Sequence, residues 1–144
     1  MPNDLAKQVV VLRQSSARLN KVTDDAQELV KSLETFLSET CSVGLKAYVA
    51  INNDGDSDAN PDFSEQLEYR RIGEKFRIAY VVSVMGEDHS VKPWSDLDRK
   101  MKIETLPLIP ELLKALTLRV DETIKQAEDA LSSIRLVAAE LNKK

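Results

Sequence analysis

With 144 residues, 42% of them apolar and 31% charged, the chain is long enough to bury roughly two thirds of its unfolded surface in one domain and too apolar to stay disordered. Its net charge of -4 argues against a general nucleic-acid binder, no apolar run approaches the roughly 20 residues that span a bilayer, and 4 glycines leave no room for a dinucleotide or P-loop motif. The single cysteine, Cys41, cannot make an internal disulfide, and Met-Pro-Asn-Asp at the start has neither the basic region nor the apolar core of a secretory signal, so a reducing compartment, the cytoplasm, is expected.

The chain opens on a heptad pattern. One row reads Leu5, Leu12, Leu19, Ala26, Leu33 and the other Val9, Ser16, Thr23, Val30, Leu37, with steps of four and three alternating without a slip, the signature of a coiled-coil seam. A helix is predicted from Asn3 or Asp4, either of which can cap the first turn, to about Ser38, a rod of roughly 52 Å. Such a rod is longer than a small domain is wide, so part of it must project or pair. The narrow stripe from Leu5 to Leu19, flanked by Gln8, Arg13, Ser15 and Asn20, suits a partner, and Leu5, Val9, Leu12 and Leu19 are the candidate oligomerisation residues. Val22, Leu29 and Phe36 broaden the stripe where the helix is expected to pack on the domain. Leu on one row with Val on the other favours two parallel strands, a preference that Ser16 and Thr23 weaken. Cys41, at the helix end, is expected to be a small buried residue.

A period of two follows. Val43, Leu45, Ala47, Val49 and Ile51 alternate with Gly44, Lys46, Tyr48 and Ala50, predicting a strand with one apolar face. Further strands are predicted over Leu67 to Ile72 and Phe76 to Met85, joined at Gly73-Glu74-Lys75, a hairpin signal. The result is a three-stranded antiparallel meander over 41–85. On its last strand Arg77, Ala79, Val81, Ser83 and Met85 share a face that is too apolar to be left in water. Tyr48, Arg77, Val81 and Met85, with Lys46 nearby, are therefore candidate partner-binding residues, since interfaces combine aromatic, methionine and arginine side chains.

From Gly86 to Trp94 the sequence reads as a loop. Ser95 and Asp98 form a candidate capping pair for a short helix, and Trp94 is expected either to anchor the loop against the helices or to serve as a partner contact. Pro107 and Pro110 break the chain, and a last helix is predicted over 110–141, roughly 48 Å long. Its rows are Leu113, Val120, Ala127, Ile134, Leu141 and Thr117, Ile124, Leu131, Ala138. The similar lengths of the two rods point to an antiparallel, coiled-coil-like helical pair, four helices in a dimer.

Two charged clusters are the candidates for chemistry. Asp54, Asp56, Asp58, Asn60, Asp62 and Glu65 resemble an EF-hand calcium loop, with oxygen donors at positions 1, 3, 5, 9 and 12. Ala59 stands where that loop requires glycine and Pro61 where it requires a strand-forming residue. A solvated acidic loop is therefore the expectation, with Asp54, Asp56, Asp58, Asp62 and Glu65 as Ca²⁺ ligands the alternative; no other cofactor is implied. Directly afterwards Arg70, Arg71, Lys75 and Arg77 interleave with Tyr69 and Phe76, a pattern that suits phosphate or base recognition, although Arg70 and Arg71 must point to opposite faces. His89 is the only histidine, so one chain cannot build a histidine metal cluster, and no serine motif accompanies it.

The sequence thus predicts a single α+β domain: a long helix over 1–40, the meander over 41–85, a loop and short helix over 86–109, and a long helix over 110–144. Its expected role is that of a non-enzymatic, homodimeric interaction or regulatory protein with a protein partner. Nucleotide or nucleic-acid binding through Arg70 to Arg77 is the alternative, and catalysis comes third because no catalytic set is recognisable.

Overall fold

The structure, a computed structural model, describes residues 2–41, 44–51 and 63–143. Helix α1 (Pro2–Thr35) ends in a single π turn, Phe36–Thr40, in which the N–H of Cys41 reaches the carbonyl of Phe36 at 3.0 Å. Strands β1 (Ala47–Ala50), β2 (Phe63–Ile72), β3 (Lys75–Val84) and β4 (Glu87–Pro93) follow. A 3-10 turn at Trp94–Asp96 then leads to α2 (Arg99–Thr105), and a second at Leu106–Leu108 to α3 (Ile109–Leu141). The fold is α+β, with two long helices flanking an antiparallel sheet of order β1-β2-β3-β4. Among the described residues no helix is long and apolar enough to cross a membrane.

The sheet has four strands where the sequence predicts three, because residues 87–93, expected to be loop, form β4. Only Val91 and Pro93 of this strand are apolar, so side-chain alternation gives no signal. What makes it a strand is an edge position and a tight turn. Met85 and Gly86 both take positive φ, 54° and 81°, the arrangement of a two-residue I′ turn whose twist matches the flanking strands. The β2–β3 hairpin likewise turns on Gly73, at φ 64°. A bulge at Val82/Ser83 shifts the β3–β4 register, and charged side chains on β4 blunt the open edge.

One sheet face carries Ala47, Leu67, Tyr69 and Ile78, and it packs on Ala26, Val30 and Leu37 of α1 and on Ile109, Leu112 and Leu116 of α3. Tyr69 and Phe76 adjoin with ring centroids 5.2 Å apart. Trp94 is fully buried in the same core. Its Nε1 donates to Thr105 Oγ1 at 2.9 Å, and that hydroxyl donates to the Met101 carbonyl at 2.7 Å, so the polar atoms brought in with the indole are matched. Trp94 therefore anchors the chain and offers no contact surface. The N-cap of α2 is Asp98, accepting from the Met101 N–H at 2.8 Å; Ser95, expected to share the cap, instead accepts from Arg77.

Glu34 joins α1 to the sheet. The last β3–β4 pair is Ala79↔Pro93, and one residue further on the Ile78 N–H donates to the Glu34 carboxylate at 2.7 Å. A carboxylate thus takes the place that a continuing β4 would occupy. Burial raises the Glu34 pKa above the ordinary carboxylate value, while the Ile78 N–H and the Arg77 and Lys75 charges pull the other way.

The expected lengthwise pairing of the two rods is not what the chain adopts. Helix α1 leans on α2, β3 and the Trp94 turn, whereas α3 leans on β1 and β2. The helices approach each other where Ala26, Val30 and Leu33 face Ile109 and Pro110 across an apolar groove that Val22 and Leu29 also line. Val22, Leu29 and Phe36, expected to widen the buried stripe, are exposed, and so is Cys41.

Candidate functional site

The face opposite the helices does not offer the surface its composition suggests. Cross-strand pairing aligns Tyr48 with Glu68, Ala79 and Pro93, and Ala50 with Gln66, Val81 and Val91. Ala79 and Val81 are already fully buried within one chain. Of the proposed partner residues, Val81 and Trp94 are therefore inaccessible, Arg77 is half-buried and engaged, and Tyr48 and Met85 are exposed. Met85 stands out because it occupies the β3–β4 turn.

The basic hairpin is largely neutralised from within. Arg70 and Arg77 are directly opposite each other, a pairing of like charges that is unfavourable on its own. Arg70 Nη1 lies 2.8 Å from Asp88 Oδ2 and 3.6 Å from Glu68 Oε1, while Arg77 Nη2 donates to Ser95 Oγ at 2.8 Å and its Nε lies 3.7 Å from Glu34. The Arg70 contact holds the Asp88 carboxyl below its ordinary range. Glu68 is 2% exposed, with Lys46 Nζ at 3.2 Å from its Oε1; neither cation there makes a well-directed hydrogen bond to that oxygen, so the contact is an ion pair. Arg71 stacks over the Phe76 ring at 5.5 Å. Lys75 and Arg77 line a depression of about 510 Å³ together with Lys31, Glu34 and Ser38, and Arg71 joins Lys75 in an adjoining one. Arg70 lines neither and is turned to Asp88 and Glu68, so the four basic side chains do not share one spot. Glu34, Glu68 and Asp88 are the carboxylates sequence reading missed; Glu68, two residues before Arg70 on β2, is signalled by the period of two, whereas Glu34 lies 44 residues from Ile78 and no local spacing signals it.

Asp54, Asp56, Asp58 and Asp62 of the acidic stretch lie outside the described residues. Glu65 is described, in β2 opposite Val82. Its carboxylate accepts the Tyr80 O–H, and burial together with that carboxylate drives the Tyr80 pKa well above its ordinary value. His89 is exposed on β4, and among the described residues no group of His, Cys, Asp and Glu is arranged to hold a metal.

What remains is the pair of helical arms. Every side chain from 3 to 22 on α1 and from 124 to 141 on α3 is exposed. Leu5 is 69% accessible, Leu12 67% and Leu141 80%, and the seam residues Val9, Leu19, Ile124, Leu131 and Ile134 are exposed as well. Where α1 leaves the body, Arg99 of α2 donates to Asn20. Isolated helices of this length are marginal in water, and these arms hold leucines in solvent at coiled-coil spacing. The chain exposes 10714 Å², whereas a compact monomer of 16.1 kDa exposes about 7,400 Å². The difference is roughly 3,300 Å² on that scaling, and the extended arms contribute to it.

No protein-family model matches the sequence, and comparison with curated proteins and with solved structures gives no significant match.

Proposed function

We propose that the protein is a non-enzymatic, self-associating interaction protein: a small α+β body that holds two apolar helical arms ready for protein-protein contact, acting as a homodimer in the cytoplasm. The observation that carries this reading is the exposure of both heptad seams over the outer parts of α1 and α3. Apolar stripes of that extent are rare on solitary soluble chains and mark contact surfaces. A regulatory role fits the same architecture, because arms that bind each other are also arms that another protein can occupy.

The test is the mass of the particle in solution. Light scattering should give the wild-type protein a mass above that of one 16.1 kDa chain, and Leu12→Asp combined with Leu19→Asp should reduce it to one chain, since an unpaired charge in a covered seam is costly. Circular dichroism should show that the body persists in the variant. A wild-type protein that is monomeric at high micromolar concentration overturns the proposal.

A further inference from the structure

Both arms are apolar, but the stretches of them that can lie side by side carry opposite net charge. Residues 3–22 of α1 carry Lys7, Arg13, Arg18 and Lys21 against Asp4, a net of +3. Residues 121–140 of α3, the stretch opposite 3–22 in the alignment below, carry Asp121, Glu122, Glu128, Asp129 and Glu140 against Lys125 and Arg135, a net of -3, with Lys143 beyond them. The overall charge of -4 conceals this division. Pairing α1 with α1 would bring two basic arms together, and α3 with α3 two acidic ones; only α1 with α3 joins opposite signs, and such complementarity selects partners in helical assemblies.

We infer that the outer half of α1 pairs, antiparallel, with the outer half of α3 from a second copy of the chain, so that two reciprocal α1–α3 seams hold the dimer. This rests on the self-association proposed above and specifies which surfaces meet. The seam rows match in that alignment. With Leu12 opposite Leu131, Val9 falls opposite Ile134 and Leu19 opposite Ile124, and the small polar Ser16 meets the small Ala127. Continued inward, the same register reaches Thr23 and Val120, the half-buried positions where the two helices leave the body. The two arms are therefore equal in length, about 28 Å at 1.5 Å per residue. Antiparallel packing also places Arg13 on the same flank as Glu128, at equivalent heptad positions, where opposite charges attract across the seam.

The second copy is the occupant that the geometry favours over closure within one chain. Outward of Thr23 and Val120 every seam residue of both arms is exposed, so the two arms of one chain do not cover each other. A twofold arrangement closes both seams at once, because each chain gives one basic and one acidic arm.

Cross-linking of single-cysteine chains tests the pairing. In a Cys41→Ser background, Leu12→Cys and Leu131→Cys are introduced separately into full-length chains, at exposed positions whose change leaves the body intact. Under mild oxidation, disulfide-linked dimer should form when the two variants are mixed and not when either is oxidised alone. Charge reversal supplies the second arm of the test. Asp121→Lys with Glu122→Lys, Glu128→Lys and Asp129→Lys should weaken the dimer at least tenfold in sedimentation. Adding Lys7→Glu, Arg13→Glu, Arg18→Glu and Lys21→Glu to the same chain should restore it. Cross-linking of Leu12→Cys alone, or a dimer indifferent to the α3 reversal, overturns this pairing while leaving self-association standing. A Leu12→Cys/Leu131→Cys chain that closes into a linked monomer would show that the seam forms within one chain and overturns it too. Wild-type protein that never associates removes both proposals.

Discussion

The inner and outer halves of the two long helices are written in the same pattern and have opposite fates. On α1 the heptad rows run without a slip from Leu5 and Val9 to Leu33 and Leu37, yet Ala26, Val30 and Leu37 are buried while Leu5, Val9 and Leu12 are exposed. On α3 the buried residues are Ile109, Leu112 and Leu116, a row beside the seam; the seam's own Leu113 and Val120 are half-buried, and by Ile124 it is in solvent. The difference lies in what each half reaches. The inner halves meet a sheet face whose small Ala47 and flat Tyr69 allow close approach; the outer halves extend past the sheet. A heptad repeat therefore states that a stripe wants cover, and it does not say whether a sheet, a helix of the same chain or a second chain supplies it.

The largest expected effect separates the halves by stability. Leu112→Ala, at the centre of the core, should cost about 2–5 kcal/mol in urea unfolding, since a buried leucine leaves both lost transfer energy and a cavity. Leu131→Ala, measured in chains kept dissociated by Leu12→Asp and Leu19→Asp, should stay within about 0.5 kcal/mol, as an exposed helical position does. Equal costs would mean that the outer half is packed in the single chain and would erase the distinction. Next in size, Thr105→Val replaces the hydroxyl that accepts from Trp94 Nε1 with a methyl group of the same shape. A buried indole N–H left without an acceptor costs about 1–3 kcal/mol, and a shift below that range would mean that another acceptor replaces the hydroxyl.

Elements with a strong period were legible and those defined by a neighbour were not. The predicted helices over 3–38 and 110–141 correspond closely to α1 with its π turn and to α3, and Gly73 marked the β2–β3 turn, because apolar spacing and a required positive φ are local properties of sequence. Strand β4 escaped because its residues Glu87 to Ser90 have no apolar face; their pairing is set by backbone hydrogen bonds to β3 and by the Met85-Gly86 turn. Period two placed Val81 correctly on the face away from the helices, but it could not tell that Val81, aligned with Gln66 and Val91, is fully buried within one chain. The same holds for charge. Arg70 to Arg77 read as a basic patch until Glu68, on the same strand, and Glu34 and Asp88, from elsewhere in the chain, are set beside it.

Glu34 sharpens the comparison at the boundary between the halves, since it docks the inner part of α1 on an open sheet edge. Glu34→Ala should destabilise by about 1–2 kcal/mol, because the Ile78 N–H loses its acceptor, whereas Glu34→Gln keeps an acceptor oxygen and should cost less than ~1 kcal/mol on the same scale. The pH dependence has a definite sign. The folded pKa is raised mainly by burial, so the folded chain holds this proton more tightly than the unfolded one, and the wild type loses stability as pH rises from the ordinary carboxylate value through the raised one. The Gln variant lacks that loss. Its stability relative to wild type should therefore improve between acidic and neutral pH, and a difference that stays constant with pH would show Glu34 to be titrating as an ordinary carboxyl.

The smallest effect is expected at the rim of the sheet, at Asp88. Its carboxyl is depressed mainly by the hydrogen bond from Arg70, so its contribution runs opposite to that of Glu34: present above the ordinary aspartate range and lost as pH falls through the depressed value. The pair is partly open to water, with the Asp88 side chain 43% accessible, and solvent screening keeps such pairs to about 0–1 kcal/mol. Asp88→Asn should thus lower neutral-pH stability by less than ~1 kcal/mol, and the deficit should vanish in acid. It should also leave Arg70 with the buried Glu68 as its remaining carboxylate, 3.6 Å away. A variant that gains phosphate or nucleotide affinity as Arg70 is released would mean that Asp88 had been masking an anion site; unchanged affinity would fit a hairpin whose charges serve the fold, leaving the arms as the surface that meets a partner.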